Sequence, residues 1–311
     1  MADVLAGQPA SAGSQGASLA SGGAGSRGLR RIRTYAPLLP FLGYVALFLL
    51  LPTFLVVLGA FQNEDGTLTL GNVHAVLTEQ SFINAFGRSI QLSLTTALAG
   101  AVLGGLLAWA VAAGDPEGEL RHVVVAAAGV LAQFGGVMLA FAFLATFGFN
   151  GLVTIVVSEV FGVDLLAGGA WLYGLTGLAV VYTYFQIPLM LIVFLPALQG
   201  LRQEWYDASA SLGGSSWSFW RHVGGPILAP SFLGATLLLF ANAFSAYATA
   251  AALVSQGSPI VPLQIKVALS SEVILGQANV GKALALGMIV VVSIVMALYA
   301  LVQRRASRWV R

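Results

Sequence analysis

Gly200-Leu-Arg-Gln-Glu-Trp-Tyr-Asp207-Ala-Ser-Ala-Ser-Leu-Gly213-Gly-Ser-Ser-Trp217-Ser-Phe-Trp220-Arg-His-Val-Gly-Gly-Pro226 is polar, aromatic and interrupted by glycine, in the middle of an otherwise apolar chain. The spacing predicts two short helices separated at Gly213-Gly214, because glycine supplies the freedom a sharp reversal needs. Trp205, Ala208 and Leu212 share one face at helical spacing. Trp217 and Trp220 extend that apolar surface beyond the break, and Pro226 opens the next apolar run. An aromatic loop of this kind either lies among lipid headgroups or docks on another protein.

The segments on either side of it are long and free of charge. No charged residue occurs between Arg33 and Glu64, Arg88 and Asp115, Arg121 and Glu159, Asp164 and Arg202, Arg221 and Lys266, or Lys282 and Arg304. Each interval holds the roughly 20 apolar residues that carry a helix across a bilayer. Helices satisfy their own backbone hydrogen bonds in lipid, and the alternation of a membrane barrel is absent. Six spans are expected near 37–61, 89–113, 122–147, 172–198, 227–253 and 283–303. The interval 148–171 reads as an external or partly re-entrant segment, since its apolar part, Leu152–Phe161, is short and glycines follow it.

Composition points the same way. Of 311 residues, 58% are hydrophobic and 8% charged, against about a quarter charged in soluble domains. Six spans with an internal N-terminus place Arg27, Arg30, Arg31, Arg33, Arg121, Arg202, Arg221, Arg304, Arg305, Arg308 and Arg311 inside. Only Arg88, Lys266 and Lys282 fall outside, the asymmetry of the positive-inside rule. Both termini are therefore expected in the cytoplasm. The chain has no cysteine, and its three histidines show no metal-ligand spacing, so no metal site is expected. The net charge of +2 gives no reason to expect nucleic acid. Residues 1–33 read as a disordered cytoplasmic tail with no cleaved signal peptide, 34–303 as one transmembrane domain, and 304–311 as a cytoplasmic C-terminal tail.

The loop resembles the cytoplasmic signature of type I ABC importer permeases, which runs Glu-Ala-Ala, three residues, Gly, nine residues, then Ile-x-Leu-Pro. Asp207-Ala208-Ser209 stands for Glu-Ala-Ala, Gly213 for the glycine, and Val223-Gly224-Gly225-Pro226 for the final motif. The acid-to-glycine-to-proline spacing is intact. The departures are Asp for Glu, Ser for the second Ala, Val223 for Ile and Gly225 for Leu, and Glu204 is an alternative acid. The resemblance covers about residues 85–305 and implies an all-α transmembrane, six-helix type I ABC importer permease fold with cytoplasmic coupling helices in the loop 199–226. It implies a bacterial inner-membrane location and partners: an ABC ATPase dimer, a second and different permease, and an extracytoplasmic solute-binding protein. In that setting Glu204, Asp207, Ala208, Ser209, Gly213 and Pro226 couple the chain to the ATPase as a helix seated in a groove. The chain itself would be no enzyme and hold no cofactor, with ATP and Mg bound by the partner subunits. Within the family, Tyr206–Trp220 and Phe240–Tyr247 are most similar to the polyamine, iron(III), thiamine and phosphonate group. That makes a polyamine such as spermidine or putrescine the first solute, with sugar, iron(III), thiamine or phosphonate as alternatives.

Other signals are weaker. Gly276-Gln-Ala-Asn-Val-Gly281-Lys282-Ala283 nearly spells a phosphate-binding loop, but it lacks the hydroxyl residue and precedes an apolar span. Polar residues inside spans mark a candidate solute pathway at Gln133, Tyr184, Gln186, Asn242, Ser245 and Tyr247, although such side chains more commonly bond neighbouring helices. Gly100, Gly104 and Gly105 read as close-packing positions. Outside, 254–282 carries an apolar stripe through Ile265, Leu269 and Val273, suited to a surface helix, a gate or a binding-protein contact. Secondary transporters, channels and membrane scaffolds are the rivals. The first two are expected to carry intramembrane ionisable residues or repeated broken helices, and these six spans contain no Asp, Glu, Lys or Arg.

Overall fold

The computed structural model describes residues 38–63, 65–115, 117–254, 260–270 and 278–306. The N-terminal tail, Pro259, Glu272, Val273, Gly276 and residues 307–311 lie outside them. Two units are distinguished, one ending at Leu55 and the other running from Val56. Six helical stretches are long and apolar enough to cross a membrane, and the described residues contain no strand beyond one isolated bridge, Gln62 to Leu68.

The first span is α1 (Leu39–Val45), a π-turn (Ala46–Leu50) and α2 (Leu51–Ala60). Pro52 has no N–H to continue the ladder. Directly before it, the Leu51 N–H reaches back five residues to the Ala46 carbonyl, which widens the turn without leaving a helix.

In the second unit α3 (Gly71–Thr78) leads into α4 (Gln80–Ala113), which starts nine residues before the expected second span and takes Arg88 into the helix. α4 packs most extensively on α8 (Leu175–Gln199), and its glycines set how closely. A Cβ on Gly100 would lie 2.5 Å from Gln186 Cβ, and one on Gly104 would lie 2.5 Å from the Ile187 carbonyl oxygen. The sequence reading of these glycines holds: small residues let membrane helices touch backbone to backbone. α8 stays helical through Pro188 and Pro196.

Two expected spans are discontinuous. The third, expected near 122–147, is parted at Phe134-Gly135 into α5 (Glu119–Gln133) and α6 (Gly136–Phe147), with Gly136 at φ +67°. The stretch long and apolar enough to span runs instead from Gly136 to Phe161, which takes Leu152–Phe161 out of the expected external segment. Ala128 of α5 clusters with Leu195 and Leu198 of α8, while Leu139 and Ala140 of α6 cluster with Leu178 and Val181. α5 thus packs beside the C-terminal half of α8, while α6 joins the cluster around its N-terminal half. The turn Gly148–Gly151 separates α6 from α7 (Leu152–Phe161), which contacts α6 and ends at Gly162, φ +67°. The fifth span is likewise split, into α11 (Gly225–Ser245) and α12 (Ala248–Leu253).

The two breaks meet. Thr249 Oγ1 donates to the Gly136 carbonyl (3.1 Å), and the Tyr182 hydroxyl donates to the Ala246 carbonyl. The Tyr182 hydroxyl thereby satisfies a carbonyl left open where α11 ends, the condition for irregular backbone inside a membrane, and Thr249 ties α12 to the first residue of α6. α13 (Val261–Ser270) packs against α14 (Ala278–Ala306) and α4, and its Val261 N–H donates to Ser89 Oγ (2.9 Å). This corrects the expected stripe: Val261, Pro262, Leu263 and Ala268 are buried, Ile265 is half-buried and Leu269 exposed. The near phosphate loop resolves as packing, with Gly281 against Ala268 and Leu269, and Lys282 lying over Gly59.

Candidate functional site: the glycine-broken loop and the polar span positions

Between α8 and α11 the chain forms α9 (Gln203–Ser211), a turn, α10 (Ser216–Phe219) and a π-turn (Trp220–Gly224). The glycine pair at the turn has two distinct jobs. Gly213 sits at φ +78°, where a side chain is strained. Gly214 has no room for one, since a Cβ would lie 2.7 Å from Ser209 Oγ. Ser215 caps α10 by accepting from the Ser218 N–H (3.3 Å). The π-turn again precedes a proline, the Gly225 N–H reaching the Trp220 carbonyl before Pro226. A Cβ on Gly225 would stand 2.5 Å from that carbonyl, and one on Gly224 would stand 2.9 Å from the Trp220 ring. Glycine at 225, a departure from the signature, is what this tight turn demands.

The loop has an inward and an outward side. Inward, Tyr206 packs edge-on against the buried Phe219 (5.3 Å between centroids), and its hydroxyl pairs with Ser216 Oγ (3.0 Å). These rings and Trp220 line a cleft of about 620 Å³ with Trp109, Leu198 and Arg202. Outward, Glu204, Asp207, Ala208 and Ser211 are exposed on α9. Leu212 is 90% exposed and Trp217 73%. Trp217 and Trp220 therefore do not form one surface: the first points away from the chain and the second into the cleft. Trp205 is half-buried and Ser209 half-buried, so the expected face is presented by Ala208 and Leu212.

The exposed carboxylates are held differently. Glu204 pairs with Arg202 (3.3 Å), both well exposed, a contact of little energetic weight in water. Asp207 Oδ1 accepts only from Gln203 Nε2 (3.2 Å), leaving its charge without a cationic partner among the described residues. That makes Asp207 the freer acid for an external cation. Tyr206, Phe219 and Trp109, which seat the loop, were not singled out from sequence. Their signal was the aromatic density of the loop, which does not say which rings face in.

The polar span positions separate into two sets. Gln186 is fully buried and bridges three helices: in the orientation that satisfies both ends, its amide donates to the Leu239 carbonyl (3.0 Å) and accepts from Thr96 Oγ1 (3.1 Å). Its side chain is taken up in holding α4, α8 and α11 together. Gln133, Tyr184, Asn242, Ser245 and Tyr247 are exposed, and Gln133, Ser245 and Tyr247 sit at the two facing breaks. Tyr184 packs edge-on against Phe143 of α6 (5.6 Å). Within the described residues no group of acidic, histidine or cysteine side chains could hold a metal ion.

No family model and no curated protein matches this sequence. Solved structures do. One is a bacterial ABC transporter involved in the import of the acidic polysaccharide alginate, with a TM-score of 0.69 at 17% identity over 91% of this chain and 99% of that one. Another is the bacterial alginate ABC transporter in complex with its alginate pentasaccharide-bound periplasmic protein, with a TM-score of 0.72 at 17% identity over 90% and 96%. The correspondence extends over nearly the whole of both chains. The chain shares the all-helical fold of these bacterial ABC transporter chains, with six helical stretches long and apolar enough to cross a membrane.

Proposed function

We propose that this chain is the permease subunit of an ATP-driven importer, working in a bacterial cytoplasmic membrane with the loop 199–226 and both termini in the cytoplasm. The observation that carries the proposal is α9: a short helix with Asp207 and Ala208 facing out, its other side fixed by Tyr206 on Phe219. A helix so seated can enter a groove on an ATPase, with Asp207 meeting a basic residue and Ala208 permitting close approach. Closure of an ATPase pair would push on α9, and the aromatic seat would pass that push to α4, α8 and α11 as a rigid-body motion.

ATP chemistry then belongs to partner subunits, and this chain contributes movement and a path. A second permease completes the path, and an extracytoplasmic binding protein delivers the solute; the alginate transporter of known structure is bound to such a periplasmic protein. Of the solute classes, a sugar-type solute has better support than a polyamine. The similar transporter imports an acidic polysaccharide, and the exposed amides and phenols at Gln133, Asn242, Tyr184 and Tyr247 carry no negative charge for a polyamine.

Gentle-detergent purification of the tagged chain from its native membrane, with partners identified by mass spectrometry, tests this. An ATPase, a second permease and a binding protein are the expected companions, and uptake into reconstituted vesicles is expected to need ATP. Recovery of the chain alone after cross-linking, with ATP-independent uptake, would favour a secondary transporter.

A further inference from the structure

The outer turns of α4 carry two different exposed flanks. Gln80, Asn84, Arg88, Gln91 and Thr95 are all exposed and recur at intervals of four, four, three and four residues. At about 100° per residue they fall within an arc of roughly 80° and along about 22 Å of helix. Ile83, Ile90 and Leu94 are exposed on the adjoining arc. The rest of the circumference is buried, through Phe82, Ala85, Ser89, Leu92, Ser93 and Thr96. This stripe lies at the end of α4 away from the loop, since Trp109 and Ala113 at the other end line the loop's cleft. Beyond Thr95 the same arc turns apolar, at Leu98 and Val102.

Polar groups on the stripe are only partly satisfied within the chain. Gln80 Nε2 donates to Asn84 Oδ1 (2.9 Å), and Thr95 Oγ1 to the Gln91 carbonyl (2.9 Å). The Arg88 guanidinium and the Gln91 amide make no side-chain hydrogen bond or ion pair among the described residues. A lipid-facing helix does not sort its exposed residues in this way. At 34 residues α4 is about 51 Å long against a hydrocarbon core of about 30 Å, so its first turns, Arg88 included, stand beyond the core, and Gln91 and Thr95 are the polar positions that carry the stripe to span depth. Snorkelling to the headgroups suits Arg88 but leaves Gln91, one turn deeper, unexplained.

We infer that the polar flank of α4 is the outer wall of a water-filled solute path, in which Arg88 receives an anionic group, a carboxylate or a phosphate, of the transported solute. A guanidinium presents a planar fork of donors that matches either group. This rests on the permease reading for its direction, and it adds an anionic group to the sugar-type solute proposed there.

The absence of cysteine allows single cysteines to be placed freely. Asn84→Cys, Gln91→Cys and Thr95→Cys, with Ile83→Cys, Ile90→Cys and Leu94→Cys as the other flank, are labelled in sealed vesicles of the native membrane that holds the chain. The probes are membrane-impermeant methanethiosulfonates bearing either a sulfonate or a quaternary ammonium. Labelling after denaturation reports the total chain. The polar flank is expected to label and the apolar flank to stay protected. At Gln91→Cys the sulfonate-to-ammonium rate ratio is expected to fall about fivefold when Arg88→Gln is added, the scale of one unit charge acting at short range in a largely aqueous site. Equal labelling of both flanks, or of neither, overturns the water-filled wall. Labelling whose charge preference ignores Arg88→Gln overturns the anion site. Because labelling needs neither ATP nor transport, its result is independent of whether an ATPase partner is found.

Discussion

The loop 199–226 and the pair of helix breaks at Gln133–Gly136 and Ser245–Ala248 are both interruptions of helix, yet they are built on different physics. The loop is held locally. Gly213 takes a left-handed turn, Gly214 makes room for Ser209, Ser215 caps α10, and Tyr206 reaches ten residues ahead to Ser216. The breaks are held at long range, by Thr249 on Gly136 across 113 residues and Tyr182 on Ala246 across 64. A locally specified interruption leaves its outer surface free for a partner. One specified by distant contacts joins two helices that must move together.

Substitutions can test that contrast. The largest effect is expected outside both regions, where they share a support: Gly104→Leu drives a side chain into the Ile187 carbonyl and Met190. Overpacking against backbone is expected to cost about 3 kcal/mol or more and to abolish recovery of folded protein in detergent. Tyr182→Phe and Thr249→Val each remove one buried donor at the breaks. A loss of about 1–2 kcal/mol each is expected, read as a lowered Tm in detergent. The double variant is expected to lose less than the sum if the breaks act as a unit.

Loop variants are expected to spare stability and damage function. Gly213→Pro and Asp207→Arg should leave the chain inserted while uncoupling ATP hydrolysis from uptake, measured in the same reconstituted vesicles. Normal uptake in both would contradict the assignment of the loop. Trp217→Ala, at a 73% exposed side chain, is expected to change stability by no more than about 0.5 kcal/mol and to weaken retention of the ATPase during purification.

Sequence carried the number of spans because charge is excluded from lipid, and charge-free intervals can be counted without knowing any contact; it set the third at 122–147, whereas the spanning stretch is Gly136–Phe161. It carried the loop because its specification is local, so Asp207, Gly213 and Pro226 keep their spacing in one short stretch. The breaks were not legible. Gly135-Gly136 and Ala246-Tyr247 sit inside charge-free runs whose few polar residues, Gln133, Asn242 and Ser245, read as pathway positions, and the hydroxyls that hold the two breaks together come from elsewhere in the chain. Gln186 looked like a pathway residue for the same reason: only the fold reveals Thr96 and Leu239 waiting for its amide. The start of α4 was set late because Arg88 was read as a boundary, whereas the helix carries it two turns inside. In 254–282 the sequence left the role of the apolar stripe open, and only the fold shows Leu269, with Ala268, bordering Gly281 while Ile265 is half-buried.

The most direct test of the central claim is photo-cross-linking from Trp217, replaced by benzoylphenylalanine, in native membranes. An adduct containing an ATP-binding subunit is the result the account expects, because this side chain projects away from the chain beside α9. Adducts with lipid alone, with no protein cross-link from this position or from Leu212, would contradict it and return the loop to the headgroups.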